Sequence, residues 1–224
     1  QYIMVFGVFQ CTGLWGGYGG SGILDYALIR AIVKKYNLKN YLEIGTYIGE
    51  SINVVSDLCS TCHSVTLKPD RNDDIYQFCN TLNLPNFSGR LANADNIIHH
   101  YCDSKTFDFE KVSETIDIYF IDGDHSYNGV YWDTKNIFEC RKENSFVIWH
   151  DFKYMLSYND EVIRAVKDVL NDDFKNVFIT TNNICGIYIP PQYQKDFSII
   201  DNDYYKNSID LYTYDTDIKV SIKK

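Results

Sequence analysis

Apolar positions in this chain first fall into a helical rhythm over residues 23–36, where Ile23, Leu24, Leu28, Ile29, Ile32 and Val33 share one face. A short apolar strand is expected at 41–44 and a helix from Glu50 to about Asp57. The pattern then predicts a strand at 64–67, a helix at 73–82, a short strand at 87–91 and a helix at 95–101. A strong apolar strand spans 116–121, a helix 127–140 and another strand 145–149. Residues 160–170 read as an amphipathic helix with Val162, Ile163, Val166, Val169 and Leu170 on one side. Two late strands, 177–180 and 184–189, flank Thr181-Asn182-Asn183. In the tail, Ile209, Leu211 and Thr213 alternate with polar neighbours, as do Ile218, Val220 and Ile222, so a terminal hairpin turning at Asp215-Thr216-Asp217 is an expectation.

Strands alternating with helices imply an α/β fold with a mostly parallel sheet covered on both faces. In such a sheet ligands bind at the carboxyl ends of the strands. The late strand pair is too closely spaced for a parallel crossover, so an antiparallel strand is expected at one edge. Residues 1–22 read as a glycine-rich leader, with a lid over the site as the alternative; 23–190 form the main domain and 191–224 a C-terminal extension.

The chain has 224 residues, of which 45% are hydrophobic, enough for one domain with a sizeable core. Its net charge of −9 argues against general binding of nucleic acid or of an anionic membrane. No apolar run approaches the ~20 residues of a membrane-spanning helix. Seven cysteines at irregular spacing read as mostly reduced thiols of a cytoplasmic protein. Cys59-Ser-Thr-Cys62-His63 has the spacing of a haem attachment site, but it sits between a helix end and a strand, and a structural reading is preferred. No second Cys/His pair supports zinc.

Three segments carry the candidate chemistry, and all fall at carboxyl ends of expected strands. Glu43-Ile-Gly45-Thr-Tyr-Ile-Gly49-Glu-Ser51 is a strand, a glycine turn and a helix start. Glycines there permit positive φ and close approach of a nucleotide-like ligand. The spacing Gly-x-x-x-Gly is not the Gly-x-Gly-x-x-Gly of dinucleotide sites. The second segment is Asp122-Gly-Asp124-His125 and the third is His150-Asp151. On one rim these acids would repel one another, and a divalent metal would relieve that repulsion. Oxygen ligands favour Mg²⁺, Ca²⁺ or Mn²⁺, and a histidine tilts the preference toward a transition metal. Each acid also has a plainer reading as a helix cap.

Taken together, these motifs resemble class I S-adenosylmethionine-dependent methyltransferases over about residues 23–190. Ile121-Asp-Gly-Asp-His-Ser-Tyr127 and Phe146-Val-Ile-Trp-His-Asp-Phe152 are similar to the branch containing macrocin-type O-methyltransferases and cephalosporin-hydroxylase-like proteins. The resemblance implies a doubly wound, Rossmann-like, seven-stranded sheet. It implies S-adenosylmethionine held by Glu43, Gly45, Thr46, Gly49, Ser51 and Asp122, with Asn93 and Asp95 near the adenine. It implies Mg²⁺ or Mn²⁺ on Asp122, His150 and Asp151, and Asp124 as general base with His125 as its competitor. The acceptor would be a small-molecule or sugar hydroxyl, and a homo-oligomer stays open. Two positions depart from the pattern. Lys68 stands where an acid usually binds the ribose, leaving Asp70 as a substitute, and His150 stands where the branch often has a second carboxylate. A hydroxylase-like protein or a non-catalytic binding domain on the same fold are the other readings; a nicotinamide-dependent dehydrogenase ranks last because the glycine spacing is wrong.

Overall fold

The computed structural model describes residues 5–6, 21–68, 89, 92–153, 158–180, 183–197, 199–200, 208–209 and 218–219. Along the chain run β1 (Val5–Phe6), α1 (Ile23–Tyr36), β2 (Asn40–Ile44), α2 (Glu50–Ser56), β3 (Thr61–Thr66), β4 (Ile97–Tyr101) and α3 (Glu110–Ser113). Then come β5 (Ile118–Ile121), α4 (Tyr127–Cys140), β6 (Phe146–Trp149), α5 (Asp160–Leu170), β7 (Val177–Thr180) and β8 (Gly186–Tyr188). Three two-residue strands close the chain: β9 (Ile199–Ile200), β10 (Ser208–Ile209) and β11 (Ile218–Lys219).

The main sheet has the order β4-β3-β2-β5-β6-β8-β7, extended by β10 and β9. Strands β4, β3, β2, β5 and β6 are mutually parallel. The seven leading strands form the expected Rossmann-like sheet. Its antiparallel member, β8, belongs to the late pair as expected and lies between β6 and β7.

Period-two alternation divides the core between the two faces. Tyr41, Ile118, Phe120, Phe146 and Ile148 meet Leu28, Ile29 and Ile32 of α1 and Ile52 and Val55 of α2. Their neighbours Leu42, Ile44, Tyr119, Ile121, Val147 and Trp149 meet Val130 and Ile137 of α4 and Val162 and Val166 of α5. At the opposite end from the strand carboxyl termini, Asp117 accepts hydrogen bonds from the backbone N–H groups of Lys39 (2.8 Å) and Asn40 (2.9 Å) and pairs with Lys142 at 2.6 Å. That carboxylate holds the starts of β2 and β5 in register.

One expectation is corrected. Residues 95–101 are not a helix: Ile97–Tyr101 is strand β4, paired in parallel with β3 from Cys62↔Ile97 to Thr66↔Tyr101. Two adjacent isoleucines and an aromatic end suit an edge strand, and pairing to β3 overrides the weak helical spacing. The terminal hairpin expected from Ile209, Leu211 and Thr213 against Ile218, Val220 and Ile222 lies mostly outside the described residues. Ser208–Ile209 adds to the free edge of β7 and pairs with β9, while Ile218–Lys219 pairs with β1. The helix expected at 73–82, and most of the strand expected at 87–91, lie outside the described residues. Among the described residues no helix is long and apolar enough to cross a membrane. Cys59, Cys62, Cys102, Cys140 and Cys185 are free thiols.

Candidate functional site

The glycine turn is shaped first by the protein's own backbone. Gly45 has φ +87°, and a Cβ there would lie 2.1 Å from the Asp122 carbonyl oxygen. Gly49, the N-cap of α2, has φ +90°, and a Cβ would lie 2.7 Å from Ala92. The two glycines therefore let the backbones leaving β2 and β5 approach closely at their carboxyl ends and let Ala92 pack against the start of α2. Between them Tyr47 also has positive φ, at 46°.

Below the turn lies Glu43, fully buried. Its Oε2 accepts hydrogen bonds from Tyr41 Oη (2.9 Å) and Ser51 Oγ (2.6 Å), while its Oε1 has no partner. Burial pushes this carboxyl up to about 7, against the opposing pull of its hydroxyl donors. Ser51 is thus turned toward Glu43, and Thr46 Oγ1 is turned toward Ser64 Oγ at 2.5 Å. Both hydroxyls brace the loop from inside.

At the ends of β5 and β6, the imidazole of His150 sits among three carboxylates. Its Nδ1 lies 3.1 Å from Asp122 Oδ1 and 3.3 Å from Asp151 Oδ2. Its Nε2 lies 3.4 Å from Asp25 Oδ2, and the side chains of both residues are almost wholly buried. Burial opposes the imidazolium, but the three acids hold it protonated and raise it to about 12. The same partnership lowers Asp151 against the effect of its burial. Burial raises Asp122 in spite of His150 and of Ser21, whose Oγ donates to Asp122 Oδ2 at 2.8 Å. Asp151 has φ +53°, a left-handed conformation that costs a non-glycine residue about 1–3 kcal/mol and concentrates at functional sites.

Ligand atoms of Asp122, His150 and Asp151 all lie within 4.8 Å of one another. Two carboxylate oxygens and one imidazole nitrogen converge at a strand rim; with the His150 imidazole deprotonated, this set could hold a divalent ion, and the nitrogen favours Mn²⁺ over Mg²⁺.

The flanking pair divides. Asp124 accepts from Ser126 N and from Ser126 Oγ, both at 2.9 Å, at the first turn of α4. The Ser126 backbone N–H draws its carboxyl below the usual range. Asp124 is thereby engaged as a helix-start acceptor. His125 is mostly exposed, with Nδ1 4.0 Å from Asp151 Oδ2.

Other sequence candidates fall elsewhere. Asn93 and Asp95 precede β4, and both are exposed. Their segment runs from Ala92, against Gly49, to Asn96, whose Nδ2 donates to the Ser56 and Cys59 carbonyls at the far end of α2. Asp95 is thus carried away from the rim because β4 begins at the opposite end of the sheet. Asp70 lies outside the described residues, and Lys68 is exposed just past β3.

Sequence reading missed Asp25 and Tyr26 on α1. Tyr26 Oη donates to Glu50 Oε2 at 2.7 Å, joining α1 to the first turn of α2. The only sequence signal for Asp25 was an acid in a helix's first turn, which reads as a cap.

Comparison with known proteins agrees with this architecture. Residues 42–152 match the family model described as a methyltransferase domain. An O-methyltransferase from Bacillus cereus, solved with SAH, superposes with TM-score 0.51 at 13% identity, covering 77% of this chain and 84% of that one. An SAH-bound methyltransferase from Podospora anserina gives TM-score 0.52 at 12% identity, over 76% and 80% of the two chains. A putative caffeoyl-CoA O-methyltransferase from Staphylococcus aureus gives 0.50 at 18% identity, over 75% and 83%. A search of the curated proteins finds no match.

Proposed function

We propose that this chain, whose residues 42–152 match a methyltransferase-domain model and whose fold is that of S-adenosylmethionine-dependent methyltransferases, methylates a hydroxyl oxygen of a small molecule or sugar. The observation that carries the reading is the convergence of the Gly45–Gly49 turn with Asp122, His150 and Asp151 on one rim. Glu43 adds to it, because its unpartnered Oε1 is a buried acceptor suited to a cationic ligand group.

S-adenosylmethionine bound there would supply an electrophilic methyl on a sulfonium, and a divalent cation would supply Lewis acidity to lower the acceptor hydroxyl pKa. Gly45, Gly49 and Glu43 would form the cofactor's cradle, with Asp122 at its border. Asp122, His150 and Asp151 would hold the cation. His125, open to solvent beside Asp151, would take the acceptor's proton, since Asp124 accepts hydrogen bonds from Ser126. The protein's main contribution is orientation, since methyl transfer requires in-line approach of the oxygen.

The reading is tested by calorimetric titration with S-adenosylmethionine and S-adenosylhomocysteine, with and without Mg²⁺ or Mn²⁺, followed by a methyl-transfer screen over phenolic, catecholic and sugar acceptors. Micromolar binding and methylation of at least one hydroxyl are expected. Absence of cofactor binding under every condition overturns the proposal.

A further inference from the structure

We propose that His99, on β4, is a positioning residue for the cofactor, tying the Gly45–Gly49 turn to the turn at 89–92 so that Gly49 is held from both sides. The inference rests on the reading of the glycine turn as the cofactor's cradle.

A polar row crosses three adjacent strands at this level of the sheet. Glu43 on β2 is in register with Ser64 on β3, and Ser64 with His99 on β4. Glu43 and Ser64 are fully buried, and the desolvation of such groups is offset only by hydrogen bonds. Ser64 Oγ meets Thr46 Oγ1 of the glycine turn on one side and His99 Nδ1, at 3.2 Å, on the other. The second ring nitrogen, Nε2, donates to the Ala92 carbonyl at 2.8 Å. A carbonyl only accepts, so the neutral ring presents its lone pair at Nδ1 to the Ser64 hydroxyl. From Ala92 the backbone leads back to the glycine turn. Ala92 N donates to the Gly89 carbonyl at 2.9 Å, and Gly89 N to the Tyr47 carbonyl at 2.6 Å. Thr46, Ser64, His99, Ala92, Gly89 and Tyr47 thus close a circuit along the flank of the turn. Gly89 lies against the imidazole itself, since a Cβ there would stand 3.1 Å from His99 Cε1. Ala92 is also the residue that abuts Gly49, so what fixes Ala92 fixes Gly49.

His99→Phe keeps a ring and removes both polar atoms. Its affinity for S-adenosylhomocysteine without metal, read by calorimetry well below the thermal midpoint, is expected to fall about 10-fold, on the scale of a lost hydrogen bond. Ser64→Ala should show a similar loss, and the double variant no more than the larger single one, because the two residues act as one unit. A purely structural residue would lower the thermal midpoint and leave the affinity of the folded protein within about twofold of wild type; that result, or additive losses in the double variant, overturns the inference.

Amide hydrogen exchange needs no cofactor and separates this inference from the cradle reading. In His99→Phe, the N–H groups of Gly49, bonded to the Thr46 carbonyl, and of Gly89, bonded to Tyr47, should both exchange at least about 10-fold faster. Asp122 N, which donates to the Ile44 carbonyl on the other side of the turn, should not change. His99→Gln keeps a donor for Ala92 and loses the acceptor for Ser64, so it should speed Gly49 and spare Gly89; it decides the matter if the phenylalanine variant does not fold. If wild type binds no S-adenosylhomocysteine but both amides respond, the cradle reading fails and the tie between the turns stands. If Gly49 exchanges at the wild-type rate in the variants, His99 does not position the turn.

Discussion

Replacing Glu43 by glutamine should change how stability responds to pH more than it changes stability at any single acidic pH. Glu43 is fully buried and its carboxyl is raised from 4.5 to about 7. In the unfolded chain it ionises near the lower value, and in the fold near the higher one. The folded state therefore binds the proton more tightly, and stability is full below the unfolded pKa. It declines as pH rises toward about 7 and is flat above that. At about 1.4 kcal/mol per pH unit, the span corresponds to a loss of about 3 kcal/mol. Glutamine cannot ionise and keeps an oxygen for the Tyr41 and Ser51 donors, so Glu43→Gln should lack this decline. Urea unfolding of both proteins from pH 4 to 8 isolates the residue, because every other titrating group cancels in the difference. The variant should gain about 3 kcal/mol on wild type across that range. Parallel curves would refute the reasoning, and would mean that the buried carboxyl is solvated or paired in a way the geometry does not contain.

Three further outcomes are expected. Gly45→Ala drives a Cβ to within 2.1 Å of a backbone carbonyl at φ +87°, so urea denaturation should show a loss of at least about 3 kcal/mol, or no folded protein; a loss below about 1 kcal/mol would contradict the close approach of the backbones leaving β2 and β5. Asp117→Ala strands the N–H groups of Lys39 and Asn40 and should cost about 2 kcal/mol near neutral pH. Burial opposes ionisation of Asp117, but Lys142 and the two N–H groups hold it below 3.8, so its contribution is present above the unfolded pKa and should vanish from melts as pH falls through the lower folded value. Finally, once an acceptor is in hand, Asp124→Asn should keep kcat within about threefold while His125→Gln lowers it about 100-fold or more; the reverse ranking would restore Asp124 as the base.

Much of the scaffold was legible because its signals are local. The apolar runs ending at Ile44, Ile121 and Trp149 marked three strands whose carboxyl ends carry the chemistry, and Gly45 and Gly49 marked the turn between β2 and α2. The Asp122, His150 and Asp151 grouping followed from those ends sharing a rim. Strand β4 was not legible, since Ile97-Ile-His-His-Tyr101 suits either period and pairing to β3 decides it. The true work of the glycines was hidden as well, because the Asp122 carbonyl and Ala92 that crowd them arrive from distant parts of the chain. Asp124 carried two readings, base and helix cap, and only the structure shows it accepting from Ser126 at the helix start. Asp25 was invisible for a similar reason: nothing within α1 announces that His150 lies beside it.

The hydrogen bond from the Ile184 backbone N–H to the Asp25 carboxylate spans 159 residues. The start of β8, which supplies it, enters between β6 and β7, so the last wall of the cluster arrives after the parallel strands have been laid down. Contacts of such long range are slow to form, because the loop they close must first lose its freedom. In a growing or refolding chain, the sheet from β4 to β6 can pair while Asp25, beside His150, still lacks its Ile184 donor. Competence at this rim should therefore lag behind the appearance of secondary structure, and the delay would be set by one inserted strand rather than by the chemistry of the residues it completes.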